Sequence, residues 1–240
     1  MTVPVVGVDL GGTKIFGALV DPAGAGLDAV LQDAKSPTPA GGVDSILDAV
    51  EALVRRLDPA PTAVGIGTPG VVEPDTGRVL LAPNLSGFDR PVDVRRLLED
   101  RLGCPVSVGN DVNVAALGEA RAGAGVGYDD VLAVWLGTGL GAGLVLDGRL
   151  RIGPHGLAGE LGHAVVMPGG RRCGCGGLGH LEAYIGRRAL EALARELHAA
   201  GRSTQLVELA GDGPMKSKVF RAAYEAGDPV ARELLDEGFL

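Results

Sequence analysis

One stretch of this chain occurs twice. Val5-Val-Gly-Val-Asp-Leu-Gly11 can be laid on Val131-Leu-Ala-Val-Trp-Leu-Gly137, and the same offset of 126 residues carries Gly17 onto Gly143 and Asp21 onto Asp147. Each copy reads as an apolar strand, a glycine-rich turn, a second strand and a tight turn at Asp-Pro or Asp-Gly. Two readings account for this. Glycine-rich hairpins can resemble each other by chance, or a duplicated lobe presents two glycine-rich turns to one shared cleft. At 240 residues the chain is one large domain or two small ones, and either can bury a sizeable core.

Glycine supplies 40 residues, yet 46% of the chain is apolar and no collagen-like period is present. Disorder is therefore excluded, and the glycines belong in turns or where backbone approaches a ligand or another backbone. The 22 basic and 30 acidic residues leave a net charge of −8, which argues against a nucleic-acid or anionic-membrane partner. No apolar run reaches the roughly 18–20 residues of a membrane helix. The stretch from Met1 to Asp9 lacks the basic start and cleavage site of a signal peptide. Three cysteines, two of them one residue apart, make no disulfide framework; a metal or reactive-thiol site in a reduced cytoplasm fits better.

Along the chain the spacing predicts an α/β alternation. Val3–Val8 and Ile15–Val20 read as paired strands, followed by a Pro/Gly loop from Ser36 to Gly42. Val43, Ile46, Leu47, Val50, Leu53, Val54 and Leu57 share one helical face, and Asp58-Pro59 stops that helix. A strand over Ala63–Ile66 and a helix over Val94–Leu102 come next, the helix ending at Gly103. The strand Pro105–Val108 then runs into Asn110-Asp111 and a helix over Val114–Ala122. The expected lobes are 1–112 and 113–240. Gly227-Asp228-Pro229 opens a final helix, Val230–Leu240, that has no terminator, so the chain reads as cut short.

Several segments carry chemistry. In Asp9-Leu-Gly11-Gly12-Thr13-Lys14 a buried strand delivers a carboxylate, then two glycines with unobstructed N–H groups. That suits phosphate binding, with Asp9 facing a hydrated Mg²⁺; a plain hairpin turn is the alternative. Leu136-Gly137-Thr138-Gly139-Leu140-Gly141 repeats the device. Asp111, between a strand end and a helix start, could take the proton of a substrate hydroxyl attacking a phosphoryl group, or merely cap the helix. Glu160 and His163, three apart, share a helical face. His163, Cys173, Cys175 and His180 offer the four soft ligands of a closed tetrahedral Zn²⁺ site, against which stands a free-thiol loop. Two G-x-G-x-x-G matches, at Gly65–Gly70 and Gly174–Gly179, open no βαβ unit, and a dehydrogenase is rejected.

Taken in order, Asp9–Lys14, Gly67–Gly70, Pro83–Leu85, Asn110-Asp111, Leu136–Gly141, Gly159–His163 and Cys173–Glu182 resemble the ROK family of sugar kinases, in particular its ATP-dependent glucokinases. The resemblance implies an actin/hexokinase-like (ribonuclease H-like) duplicated fold of two α/β lobes with a central cleft. It implies that Asp9, Gly11, Gly12, Thr13, Lys14, Gly137, Thr138, Gly139 and Gly141 hold ATP phosphates and Mg²⁺. Asp111 would be the base toward a hexose 6-hydroxyl. Asn110, Glu160, His163 and Glu182 would bind the other hydroxyls, and Gly70 would approach the sugar through its backbone. The family usually has a cysteine where this chain has His180, and its members continue past this point through a further glycine-rich strand-turn and a helix. A homodimer is expected on the same ground. The alternatives are a kinase for N-acetylmannosamine, fructose or allose, polyphosphate as donor, and an inactive sugar sensor. A DNA-binding repressor is disfavoured, because the first glycine turn starts too early to leave room for a helix-turn-helix.

Overall fold

The computed structural model describes residues 3–24 and 26–239. Its longest sheet starts from the hairpin of β1 (Val5–Leu10) and β2 (Lys14–Val20), antiparallel with Val8 opposite Gly17 and Leu10 opposite Ile15. Directly opposed residues share a face, so Val6, Val8, Leu10, Ile15 and Gly17 form one surface. On it lies α1 (Val43–Leu57), which buries Ile46, Leu47, Val50, Leu53, Val54 and Leu57. Gly17 lets the helix approach closely, since a Cβ there would stand 2.9 Å from a methyl of Leu57 and force it to shift. The outer strand is β3 (Val30–Pro37), antiparallel to β2.

On the other side of β1 the pairing turns parallel. β4 (Val64–Thr68) pairs with β1 and then with β7 (Val106–Asn110), giving the order β3-β2-β1-β4-β7. A small ribbon of β5 (Val71–Val72) and β6 (Val79–Leu81) and the helix α2 (Val94–Leu102) lie between β4 and β7 in sequence. Gly103 ends α2 in the left-handed conformation with φ 73°. The helix α3 (Asp111–Ala122) follows β7 without a loop.

The repeat then recurs as secondary structure. β8 (Val131–Leu136) and β9 (Leu140–Leu146) have the limits of β1 and β2 moved by 126 residues. A two-residue turn joins β9 to β10 (Arg149–Arg151), with Asp147 at φ 52° and Gly148 at φ 68°. Two positive φ values in succession are the signature of a type I′ hairpin. The three strands form a sheet in the order β10-β9-β8. Helices complete the chain: α4 (Glu182–Ile185), α5 (Arg187–Ala199), α6 (Gln205–Ala210), α7 (Ser217–Glu225) and α8 (Pro229–Phe239). Asp228 starts α8, its Oδ1 accepting the Ala231 N–H at 2.8 Å.

Two compact units result, one of residues 3–133 with 143–159, the other of 134–142 with 160–239. The first is built on the core under α1 and α2, from Val6 to Val106. The second has a helical core of Leu190, Ala194, Leu206, Met215, Phe220, Val230 and Leu234, and a smaller cluster around Leu140, Cys173 and Tyr184. α3, expected at the head of the second lobe, belongs to the first of these units.

The strand order, the mixed pairing and the duplicated hairpin make this the actin/hexokinase-like architecture. Predicted elements recur with ends displaced by up to three residues, α3 starting at Asp111 where Val114 was expected, and α1 and α2 have their predicted limits. The expected Ser36–Gly42 loop begins inside β3, which the sequence reading passed over. Six of its eight residues are exposed, Val30 and Leu31 among them, so it carries no inward apolar alternation to detect. Met1, Thr2 and Leu240, the ends of the signal-peptide and final-helix readings, lie outside the described residues.

Candidate active site

Parallel strands end together, and ligands of open α/β sheets gather at their carboxyl ends. In the first unit, register places Asp9 opposite Gly67 and Gly67 opposite Gly109. The two glycines leave no side chain between Asp9 and the residues just beyond β7, where Asp111 begins α3. A Cβ on Gly67 would stand in van der Waals contact with the Asp111 Cα, at 3.4 Å, so the strand passes close beside the start of α3. Burial raises the Asp9 pKa, the Asp111 charge raises it further, and Lys14 offsets part of the rise. The two carboxylates therefore share one electrostatic environment.

The cap of α3 is Asn110, whose Oδ1 accepts the Asn113 N–H at 3.1 Å while its Nδ2 donates to the Gly70 carbonyl at 3.0 Å. Among the described residues Asp111 accepts from the adjacent Val112 N–H alone, at 2.9 Å through Oδ1. Its other oxygen has no protein partner among them. Asn110 keeps one amide N–H and one lone pair beyond its structural bonds. Gly70 sits at φ 92°, packed so tightly against the Leu81 carbonyl that no side chain fits.

The first glycine turn closes through Gly11 N–H to the Lys14 carbonyl at 3.0 Å, and Thr38 Oγ1 donates to the Gly11 carbonyl at 2.6 Å. Asn84 crosses over Gly12, where a Cβ would come within 2.8 Å of its carbonyl oxygen. Among the described residues the N–H groups of Gly12 and Thr13 have no protein partner. Paired backbone donors of this kind suit an anion. Thr38 was not singled out from sequence, because nothing local ties it to a turn 27 residues away.

The second unit holds the second turn. Gly137 N–H donates to the Gly139 carbonyl at 2.9 Å, and the Leu140 N–H donates to Glu182 Oε2 at 2.9 Å. Gly139 lies directly against that carboxylate. Arg187, also missed in the sequence, donates from Nη2 to Thr138 Oγ1 at 2.8 Å and from Nη1 to the Met215 carbonyl at 3.1 Å. A signal was present. Arg187 and Arg188 stand in the first turn of α5, where the helix dipole disfavours cations.

Beside this turn, His163, Cys173, Cys175 and His180 bring one donor atom each to within 4.8 Å of one another. Cys175 Sγ is 3.2 Å from His180 Nδ1, and Cys173 Sγ is 3.9 Å from His163 Nδ1. A tetrahedral zinc ion, about 2.3 Å from sulfur and 2.0–2.1 Å from nitrogen, separates its ligands by roughly 3.3–3.8 Å. Two sulfurs and two nitrogens, paired at 3.2 and 3.9 Å with none more than 4.8 Å apart, are a donor set that such an ion could draw together. Burial pushes the Cys173 thiol up, which a bound cation would reverse. His163 turns its Nε2 toward Glu160 Oε2, 3.8 Å away, so one ring faces both the ligand cluster and a candidate sugar carboxylate. Glu182 Oε1 lies 3.7 Å from Cys173 Sγ.

The chain is similar to known proteins over most of its length. The model of the ROK family matches residues 5–238. A glucokinase of Streptomyces coelicolor is 39% identical over 232 residues, covering 94% of this chain and 71% of that protein. An N-acetylmannosamine kinase of Escherichia coli is 34% identical over 231 residues, 95% of this chain and 76% of the other. Among solved structures, a ROK family glucokinase from Streptomyces griseus in complex with glucose and AMPPNP superposes with a TM-score of 0.75 at 40% identity. It covers 98% of this chain and 75% of the other.

Proposed function

The chain belongs to the ROK family, and from that membership we propose that it is an ATP-dependent hexokinase that phosphorylates the 6-hydroxyl of glucose. The observation that carries the reading is the row Asp9–Gly67–Gly109 with Asp111 at its end, next to a glycine turn with two free N–H donors. In the proposed reaction the sugar 6-oxygen attacks the terminal phosphorus of ATP. The bond to the β–γ bridging oxygen breaks, ADP leaves, and the hydroxyl proton passes to the free oxygen of Asp111.

Gly11, Gly12, Thr13 and Lys14 hold phosphate oxygens in this reading, as do Gly137, Thr138, Gly139 and Gly141. Asp9 faces the magnesium ion, which neutralises phosphate charge when bound. The remaining sugar hydroxyls fall to Asn110, Glu160, His163 and Glu182, with Gly70 approaching through its backbone. A hexose is a ring of groups that both donate and accept, and these side chains supply both roles. Zinc on His163, Cys173, Cys175 and His180 fixes the orientation of Glu160 and Glu182 and takes no chemical step.

Glucose is favoured by the glucokinase relatives, one of them solved with glucose and AMPPNP. The N-acetylmannosamine kinase of similar identity supports that sugar as the second reading. A panel of hexoses, with ATP or polyphosphate as donor and ADP or sugar phosphate measured, separates them. Asp111→Asn is expected to lower kcat by about 10²–10⁴-fold with sugar affinity kept, the range of a lost general base. A variant with near-normal kcat removes Asp111 from that role. The reading also carries a cytoplasmic homodimer, the dimer being testable by light scattering. No helix among the described residues is long and apolar enough to cross a membrane.

A further inference from the structure

We infer that Arg187 is a positioning residue for the phosphoryl donor, setting the shape and the hydrogen-bond polarity of the Gly137–Gly139 turn. The inference rests on the reading of that turn as a phosphate site. Three contacts from the start of α5 hold it: Arg187 N–H to the Gly137 carbonyl at 3.3 Å, Arg188 N–H to the Thr138 carbonyl at 3.0 Å, and the Arg187 guanidinium to Thr138 Oγ1 at 2.8 Å. The same guanidinium is anchored behind by the Met215 carbonyl. The Gly137 and Thr138 carbonyls are thus drawn toward α5. Among the described residues the N–H groups of Thr138 and Gly139 are left with no protein partner, so they are available to an anion.

The side-chain contact has a directional consequence. A guanidinium only donates, so Thr138 Oγ1 must accept from it. The hydroxyl proton is then released to point elsewhere, and Thr138 becomes a donor that can serve a phosphate oxygen alongside the two N–H groups. Lysine could restore the charge but not the two-pronged span between Thr138 and Met215. The guanidinium is not sealed in. It borders an apolar cavity of about 250 Å³ lined by Leu136, Ile185, Leu190, Phe220 and Leu235, which leaves its positive charge accessible beside the turn.

The test measures binding of Mg²⁺ with AMPPNP by calorimetry, and KM for ATP and for glucose, on the 240-residue chain. Arg187→Met is expected to raise the nucleotide Kd and the KM for ATP by about 10–100-fold, the worth of a hydrogen bond to a charged group. The KM for glucose should change less than about twofold. Arg187→Lys should recover only a small part of the loss. Thr138→Val should cost less in the Arg187→Met background than in the parent, since both act through one hydroxyl. Arg96→Met, a charge loss on an exposed pair on α2, controls for net charge and should leave all constants unchanged. Thermal melting and retained glucose affinity establish that each variant is folded; should Arg187→Met fail to fold, Arg187→Lys carries the test. Full nucleotide affinity in Arg187→Met, full recovery by lysine, or losses that simply multiply would each overturn the inference. A parent protein that binds no nucleotide would instead overturn the kinase reading on which it rests.

Discussion

Asp9 and Asp228 are both carboxylates at the ends of elements, and their surroundings push them in opposite directions. Asp9 is raised, first by burial and then by Asp111. Its ionised form is therefore disfavoured in the folded chain. Stability should decline as pH rises from the ordinary carboxylate pKa through the raised folded value, and stay lower above it. Asp9→Asn is expected to melt at a higher temperature than the parent at pH 7, with the difference closing in acid, while nucleotide affinity falls at least about tenfold. The gain is modest because the side chain remains partly solvated. Equal melting temperatures at both pH values would mean that neither burial nor the Asp111 charge disfavours ionised Asp9. For Asp228 burial alone would raise the pKa, but bonds from the Ala231 and Gln205 N–H groups and the Thr204 hydroxyl outweigh it and hold it low. That stabilisation is present above the ordinary carboxylate pKa and is lost as pH falls through it toward the lowered value. Asp228→Ala should cost about 1–3 kcal/mol, the worth of a cap plus an unpartnered buried group, as read by urea unfolding.

At the scale of elements, the duplicated hairpin repeats one use of glycine. Gly17 lies beneath α1 and Gly143 lies against Ala116 of α3, so in both copies a helix passes closely over a strand glycine. The loop from His163 to Glu182 is the opposite case. It contains one short 3₁₀ turn and two isolated bridges, Val165–His180 and Arg172–Leu178. Further backbone bonds, such as Val166 N–H to the Gly179 carbonyl and Cys173 N–H to the Gly177 carbonyl, close the loop locally, and a metal on the proposed ligand quartet would tie its two ends together. Metal analysis of unchelated protein should return about one zinc per chain, a number fixed by the single quartet among the described residues. Strong chelation should remove the ion together with sugar affinity and protease resistance of this loop. A metal-free preparation with full sugar affinity would contradict the assignment.

Across the whole molecule the two copies differ in what covers them. Val6, Val8 and Leu10 are 1%, 5% and 1% exposed, whereas Leu132, Val134 and Leu136, their counterparts at the 126-residue offset, are 59%, 45% and 50% exposed. β1 is flanked on both sides in its sheet, and β8 is an edge strand. The cores also belong to different stretches of chain, Val6 to Val106 in one unit and Leu190 to Leu234 in the other. Unfolding should accordingly show two transitions. Leu98→Ala should weaken the first and Leu206→Ala the second, each by about 2–5 kcal/mol. Trp135, the single tryptophan, lies in the second unit and should report that transition by fluorescence. One transition shifted alike by both substitutions would show that the units melt as one.

What the sequence determined by itself is local. Periodicity located α1 and α2, the 126-residue echo located both glycine turns, and the spacing of His163, Cys173, Cys175 and His180 marked a quartet that the loop does bring together. Each of these depends on neighbours along the chain or on a short-range steric rule. The tertiary structure alone decided that Asn110, not Asp111, caps α3, that β4 lines up Asp9 with the start of that helix, and that Thr38 and Arg187 brace the two turns. Those facts rest on strand register and on the reach of side chains between segments distant in sequence. They exist only once the chain has packed, because no residue's own preference encodes which partner a fold will set beside it.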